Sequence, residues 1–200
     1  RLLLRRKIRK SIQAADVCYC VSEKQVTEFS KEFGHKFKII RKGAYVDASQ
    51  KPINRTHDGI INFVYTGNIL SGRWKTLSKL AEAIHSINRD GLKARLYIYS
   101  TNALTREMRN KLNIDNEVFF MGPLEPIEVE QVQKEADVVI HVESFELKYK
   151  LQTRQSFSTK LVDYFQNAKC ILAIGWEKSN SIDYLIKNDA AVVVTSLNDI

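Results

Sequence analysis

From residue 60 onward, short apolar runs rich in β-branched and aromatic residues alternate with longer stretches whose apolar residues recur every three or four positions. Ile60 to Tyr65, Arg95 to Tyr99, Val118 to Met121, Val138 to Val142, Cys170 to Ile174 and Ala191 to Thr195 read as strands. Trp74 to Ile87, Thr105 to Leu112, Ile127 to Glu135, Lys160 to Gln166 and Ser181 to Lys187 read as the helices between them. Such alternation demands crossover connections and a parallel sheet buried on both faces. The expected fold class is therefore α/β, a doubly wound, Rossmann-like, six-stranded parallel sheet. Ligands of such sheets bind beyond the carboxyl ends of the strands. That places Thr66 to Lys75, Ser100 to Asn102, Gly122 to Pro126, Glu143 to Thr159 and Gly175 to Asn180 at the ligand edge. The stretch Glu143 to Ser158 is long for a connection and is expected to be a functional loop.

Ahead of this repeat the pattern differs. Leu2 to Ala15 reads as a basic helix and Val17 to Val21 as a strand. Ser22 followed by Gln25 has capping-box spacing, so a helix starts there and ends near Gly34, where a left-handed cap costs little. Phe37 to Ile40 reads as another strand. Gly43 to Gly59 is polar, aperiodic and contains Pro52, as a linker would. The expected organisation is 1–43 as part of a first domain, 44–59 as a linker and 60–200 as a second domain. A start at Arg1 and an end at Ile200 read as a piece cut from a longer protein.

Composition adds the nature of the partner. Of the 200 residues 44% are hydrophobic and 27% charged, as in ordinary globular domains. The net charge of +8 favours anionic partners: phosphates, nucleotides, nucleic acid or an anionic membrane surface. Aromatic and basic residues do not interleave on one face, so nucleic acid is not expected. Cys18, Cys20 and Cys170 lie in apolar runs without metal-ligand spacing and read as reduced core thiols of a cytoplasmic protein. No apolar run approaches the ~18 residues of a membrane span.

Two segments could carry chemistry. The loop Thr66 to Lys75 contains Gly67, Asn68, Gly72, Arg73 and Lys75 between a strand and a helix. Glycines there let backbone amides approach an anion, and the helix start favours negative charge. It is neither a Walker A sequence nor a dinucleotide fingerprint, and a tight turn with two solvated cations has the same sequence. The second segment runs from Phe157 to Tyr164. Ser158 or Thr159 can cap its helix, and free amides before Lys160 could hold a phosphate. Asp163, one turn in, could accept from two ribose hydroxyls or simply complement the helix dipole. His141 and Glu143 end the fourth strand at the same edge. His35, His57 and His85 are scattered without metal spacing, and a hydrolase or metal reading has little support.

Taken together these segments resemble the nucleotide-sugar-binding half of GT-B glycosyltransferases, especially family 4. Ala15-Asp16-Val17 through Ser22, then Lys38 to Gly43, resembles the end of the family's first domain. Tyr65-Thr66-Gly67-Asn68 with Arg73 resembles its phosphate loop, "G-R-x4-K-G", with Asn68 where Arg is usual and Arg73 where Lys is usual. Phe119 to Gly122 resembles the strand and turn beside the base. Ala136-Asp137-Val138-Val139-Ile140 resembles the "ADv-x-v" strand. Ser158 to Phe165, then Lys169 to Ala173, resembles the "sxKl-x-EYl…gkPila" segment. Of the family's two glutamates, E-x7-E, the second corresponds to Asp163. The first falls on Gln155, and Glu143 or Glu146 is the candidate for its place.

The resemblance implies a GT-B C-terminal domain beside a partial first domain. It implies a metal-independent retaining glycosyltransferase, without a cofactor, moving a sugar from a nucleoside-diphosphate sugar to a glycan or lipid-linked acceptor. It assigns Gly67, Asn68, Arg73, Lys75, Thr159 and Lys160 to the donor diphosphate, Asp163 to the ribose, and Gly122, Pro123 and Leu124 to the base side. No catalytic residue is assigned. The acceptor would bind mainly in the first domain, so the fragment is expected to bind donor without turnover. The basic N-terminal helix is compatible with peripheral contact at the inner face of a membrane, and equally with a solvated helix face. The alternatives are a sugar-nucleotide epimerase of the same fold and a non-catalytic nucleotide-binding module.

Overall fold

The computed structural model describes residues 2–43, 59–168 and 170–200. Six strands form one wholly parallel sheet: β3 (Ile61–Thr66), β4 (Ala94–Tyr99), β5 (Val118–Gly122), β6 (Val138–Val142), β7 (Ile171–Ile174) and β8 (Val192–Val194). Their order is β5-β4-β3-β6-β7-β8. The chain enters at the middle, steps outward to β5, crosses back to β6 and steps outward again to β8. Reversal of direction between β3 and β6 opens a crevice above the carboxyl ends of those two strands, where doubly wound sheets bind ligands. The expected doubly wound, six-stranded parallel sheet is the observed one.

Helices cover both faces. On one lie α3 (Arg73–Ile87) and α4 (Arg106–Leu112); on the other lie α5 (Pro126–Glu135), α7 (Lys160–Asn167) and α8 (Asn180–Lys187). The spacing of Leu77, Leu80, Ala81 and Ile84 gives α3 one apolar stripe, buried against Tyr65, Leu96, Ile98 and Ile140. On the opposite face Leu161 and Tyr164 of α7 and Ile182 and Leu185 of α8 pack on Val64, Val139 and Ala173. Alternation along β6 sends Val139 to one layer and Ile140 to the other. Each fully buried Leu or Ile contributes roughly 1.5–3 kcal/mol from the water it leaves. The end of α3 is set by buried Asn88, whose Oδ1 accepts from Lys93 N (2.8 Å) and Ala94 N (3.0 Å) and whose Nδ2 donates to Ala94 O (2.9 Å). One amide side chain thus fixes the turn into β4.

The N-terminal residues form a smaller unit: α1 (Leu2–Gln13), β1 (Cys18–Cys20), α2 (Glu23–Phe33) and β2 (Phe37–Ile39), with β1 parallel to β2. The Ser22 hydroxyl accepts from Gln25 N at 3.2 Å and so caps α2, as the spacing predicts. Gly34 ends α2 in the left-handed conformation at φ 65°. The same Ser22 Oγ accepts from Asn180 Nδ2 at 2.7 Å, and Gln25 Nε2 donates to Gln155 O at 2.6 Å. With the Arg154–Glu28 ion pair, these contacts seat α2 against the segments before α7 and α8. The linker expected over 44–59 lies, apart from Gly59, outside the described residues.

Two expectations change. The stretch Glu143 to Ser158 is not a bare loop: it contains α6 (Leu147–Thr153), a helix of 7 residues. Its apolar positions Leu147 and Leu151 stand exposed, so no buried stripe marked it. Thr159 does not cap α7 with its side chain; its φ of −65° and ψ of −23° are already helical, too far round for its hydroxyl to reach the following amides. The remaining element boundaries agree with expectation to within two residues, and those of β6 coincide with it.

Candidate functional site

At the reversal point the sequence brings four polar groups together from three elements: Arg73 of α3, Lys160 of α7, and His141 and Glu143 at the end of β6. The turn after β3 places Gly67 at φ 132°, a conformation open to glycine, and Gly67 N donates to Tyr99 O at 2.8 Å. A Cβ at Gly67 would collide with Nζ and Cε of Lys160, the first residue of α7. The glycine therefore exists to let this lysine cross the mouth of the loop. Lys160 Nζ rests 4.9 Å from the centroid of the Tyr65 ring. Arg73, the first residue of α3, donates from Nη2 to Glu143 Oε2 at 3.0 Å. Glu143 follows β6 directly, and its backbone N donates to Ile174 O at 2.8 Å. Gly175 is equally constrained: a Cβ there would sit 3.0 Å from Cβ of Glu143.

Burial sets the electrostatics. Glu143 is 4% exposed, and desolvation raises its pKa against the opposing pull of Arg73 and Lys160. Lys160 is held down to about 8, first by burial and then by Arg73, with Glu143 opposing. His141, on β6, is held to about 3 by complete burial, reinforced by Lys160 and Arg73. It is neutral at ordinary pH. Among the described residues its Nε2 has no hydrogen-bond partner, and it lies 3.7 Å from Glu143 Oε1. The centre thus holds two cations, one carboxylate and a neutral imidazole beside two helix starts, and is poised for an anion.

Of the residues the sequence singles out, Gly67, Arg73 and Lys160 converge here. Thr159 sits beside Lys160 at the start of α7. Asn68 is used within its own loop: its Oδ1 accepts from Leu70 N at 2.6 Å and its carbonyl accepts from Tyr65 Oη at 2.6 Å. Lys75 Nζ pairs with Glu146 at 2.7 Å on the half-exposed rim. Asp163 lies in the first turn of α7, half exposed, with Lys42 Nζ 3.7 Å from its Oδ1. Gly122 ends β5 with φ 84°, and Pro123 and Leu124 follow it. Two strand spacings, about 10 Å, separate β5 from β3. Gln155 donates from its side-chain amide to Glu28 of α2. The part of Glu143 as partner of Arg73 was not foreseen, although its place at the end of an apolar strand was the available signal. A separate cleft of about 500 Å³ opens between α2 and α8, lined by Lys24, Arg41, Asp183 and Tyr184 among others. Its charges are mixed and it has no glycine-lined loop.

The sheet order and helix layers define the class: a Rossmann-like domain with the fold of the C-terminal half of GT-B glycosyltransferases. Solved structures with this fold include WaaG, a glycosyltransferase involved in lipopolysaccharide biosynthesis. It matches with a TM-score of 0.61 at 16% identity, over 90% of this chain and 50% of its own. TarM matches with a TM-score of 0.63 at 12% identity, over 97% of this chain and 36% of its own. A trehalose-6-phosphate synthase, an enzyme of glycosyl transfer with retention, matches with a TM-score of 0.60 at 10% identity, over 94% and 51%. The chain spans about half or less of the length of these proteins. No protein-family model and no curated protein matches its sequence.

Proposed function

We propose that this chain is the donor-binding part of a retaining glycosyltransferase that takes its sugar from a nucleoside-diphosphate sugar. The observation that carries the reading is the convergence of the Gly67 loop, Arg73 and Lys160 at the reversal point of the sheet. A departing diphosphate needs preorganised cations and amides, and a dry site makes each worth more than in water. In this reading Arg73, Lys160 and the amides beginning α7 hold the diphosphate. Asp163 takes the ribose, and the base lies toward Gly122, Pro123 and Leu124. Lys75 and Asn68 support the loop. Residues 1–43 belong to a first domain that binds the acceptor, a glycan or a lipid-linked one. Neither a metal nor a cofactor is invoked, since the fixed cations supply the charge.

The test is a thermal-shift and calorimetric panel of UDP-, GDP- and ADP-sugars on the intact protein, followed by product analysis with the donor that binds. A ligand at 100 times its Kd stabilises the folded state by about 2.7 kcal/mol, which is readily measured. Binding of a sugar nucleotide with transfer to an acceptor supports the reading. Binding without transfer or hydrolysis would identify a nucleotide-binding module instead, and inversion at C2 or C4 of the sugar would identify an epimerase. Failure of every nucleotide to bind would remove the donor-site assignment.

A further inference from the structure

The cations of the site are not free. Arg73 already holds a carboxylate that the chain itself provides, 3.0 Å away, and Lys160 stands by the same carboxylate. Resting on the donor-site reading above, we propose that Glu143 is the internal counter-anion of the diphosphate subsite, and that a nucleoside-diphosphate sugar enters together with one proton, which the Glu143 carboxylate takes from solvent.

Charge counting leads there. A nucleoside-diphosphate sugar carries two negative charges. With Glu143 ionised, the bound site would hold three negative charges against Arg73 and Lys160. With Glu143 protonated, two meet two. In a buried centre an uncompensated carboxylate is costly, and neutralisation by a proton is the cheaper outcome. Among the described residues, the ionisable groups facing Glu143 offer no other compensating charge. From α3 comes Arg73, and from α7 Lys160; both are engaged by the ligand. From β6 comes His141, whose orphaned Nε2 lies 3.7 Å away and which burial keeps neutral. From β3 comes Tyr65, whose phenol is pushed further toward its neutral form by burial. From the β7 side comes only the backbone at Gly175. Lys75 on the rim is engaged by Glu146. Burial already favours the protonated form of Glu143, and an arriving diphosphate adds to that push.

The proton balance is simple. Buffer acid gives up H⁺, the Glu143 carboxylate becomes a carboxylic acid, and its ion pair with Arg73 is exchanged for Arg73 with the diphosphate. The ligand's own phosphates do not titrate near neutrality in a sugar nucleotide, so UDP-glucose, GDP-mannose and ADP-glucose are suitable probes.

Isothermal titration of the intact protein at pH 7.0, in buffers of differing ionisation enthalpy, reads the protons taken up per ligand bound. At that pH Lys160, with its pKa of about 8, is mostly charged before the ligand arrives. The native protein should show net uptake of up to one proton, and Glu143→Gln should show a slope near zero when read at pH 6.0, where Lys160 stays charged without its carboxylate neighbour; that variant should also bind the donor at least ~10-fold more tightly, about 1.4 kcal/mol. Native binding with no proton uptake would overturn the proposal while leaving the donor site standing. Uptake that persists unchanged in Glu143→Gln would also overturn it, since the proton would then go elsewhere. No binding in either protein would overturn the donor-site reading and this inference with it. Were Glu143→Gln not to fold, a native slope near zero would still overturn the proposal, and the presence or absence of a new carboxylic-acid carbonyl band in the infrared difference spectrum on donor binding would decide it for a positive slope.

Discussion

The guanidinium of Arg73 and the carboxylate of Glu143, 70 positions apart in the chain, meet at 3.0 Å across the reversal point of the sheet. One belongs to the start of α3 and the other to the end of β6, so the pair ties together the two halves of the doubly wound fold. Arg73→Ala should therefore do two things. It leaves Glu143 buried without its main partner, a loss of roughly 2–3 kcal/mol, below the range for a fully buried pair because Arg73 is partly exposed. It also removes a charge-assisted contact to diphosphate, worth ~1–3 kcal/mol of affinity. Adding Glu143→Gln should restore most of the stability and none of that contact. Urea midpoints across the double-mutant cycle check the first effect. Titration with the nucleoside and with its diphosphate in the Glu143→Gln background checks the second, and equal weakening of both ligands would take Arg73 out of the diphosphate site.

Lys160 gives a stability signature with a definite sign. Its folded pKa is about 8 against 10.5 for the ordinary side chain, lowered by burial and by Arg73. Between those values the unfolded chain binds more protons than the folded one. Stability should then rise as pH increases from about 8 toward 10.5, and the charged lysine is a cost below 8. Lys160→Met should flatten that rise and be neutral or stabilising at pH 7, while donor binding is lost. Unfolding midpoints from pH 7 to 10 with both proteins test this. A native protein whose lysine-dependent stability falls over that interval would contradict the burial of Lys160 at the loop mouth.

Much of the fold was legible because each strand is a short apolar run and each major helix carries an apolar stripe, as at Leu77, Leu80, Ala81 and Ile84. The doubly wound class was legible from the alternation, but the place of the reversal between β3 and β6 was not, since no local pattern says which strand neighbours which. The short helix α6 escaped because Leu147 and Leu151 bury nothing. Gly67 and Arg73 were legible from their place between strand and helix, and Lys160 from its place at a helix start. The partnership of Glu143 with Arg73 was not, because a lone carboxylate at a strand end carries no sign of what will face it. Its neighbour His141 was visible only as a strand-end residue; that it would be buried, neutral and unpartnered depends on α7 closing over it.

Gly67 is the residue whose change should separate site from scaffold most cleanly. Its φ of 132° is strained for any L side chain, and a Cβ would meet the end of Lys160. The colliding atoms belong to a flexible side chain, so the lysine can swing away. Gly67→Ala should consequently cost about 1–3 kcal/mol of stability, chiefly backbone strain, and leave the fold intact. The displaced ammonium no longer reaches the loop mouth, so diphosphate binding should fall at least as far as in Lys160→Met. Circular dichroism and ligand titration on the same samples decide it: a variant with full diphosphate affinity would show that the Gly67–Lys160 approach has no part in binding.

Asp163 carries the remaining assignment, the ribose. It lies one turn into α7, whose buried stripe is Leu161 and Tyr164 with Phe165 partly covered, so its carboxylate stands on the open side of the helix. Lys42 Nζ approaches its Oδ1 at 3.7 Å from the end of the N-terminal unit. Both side chains are well exposed, so that contact holds Asp163 only weakly and a ligand could displace it. A ribose diol would offer two donors to one ionised acceptor, and charge makes each such bond stronger. Asp163→Asn keeps the volume but removes the charge and turns one acceptor into a donor. Affinity for a ribonucleotide should drop by about 1–3 kcal/mol while the melting temperature barely moves. The native protein should bind the 2′-deoxy ligand more weakly and lose less on mutation, because one of the two hydrogen bonds is already missing. Lys42→Ala, by contrast, should leave ribonucleotide affinity unchanged or slightly raise it, since it frees the carboxylate. Equal binding of ribo- and deoxyribonucleotides by the native protein would leave Asp163 only as a favourable charge at the start of α7.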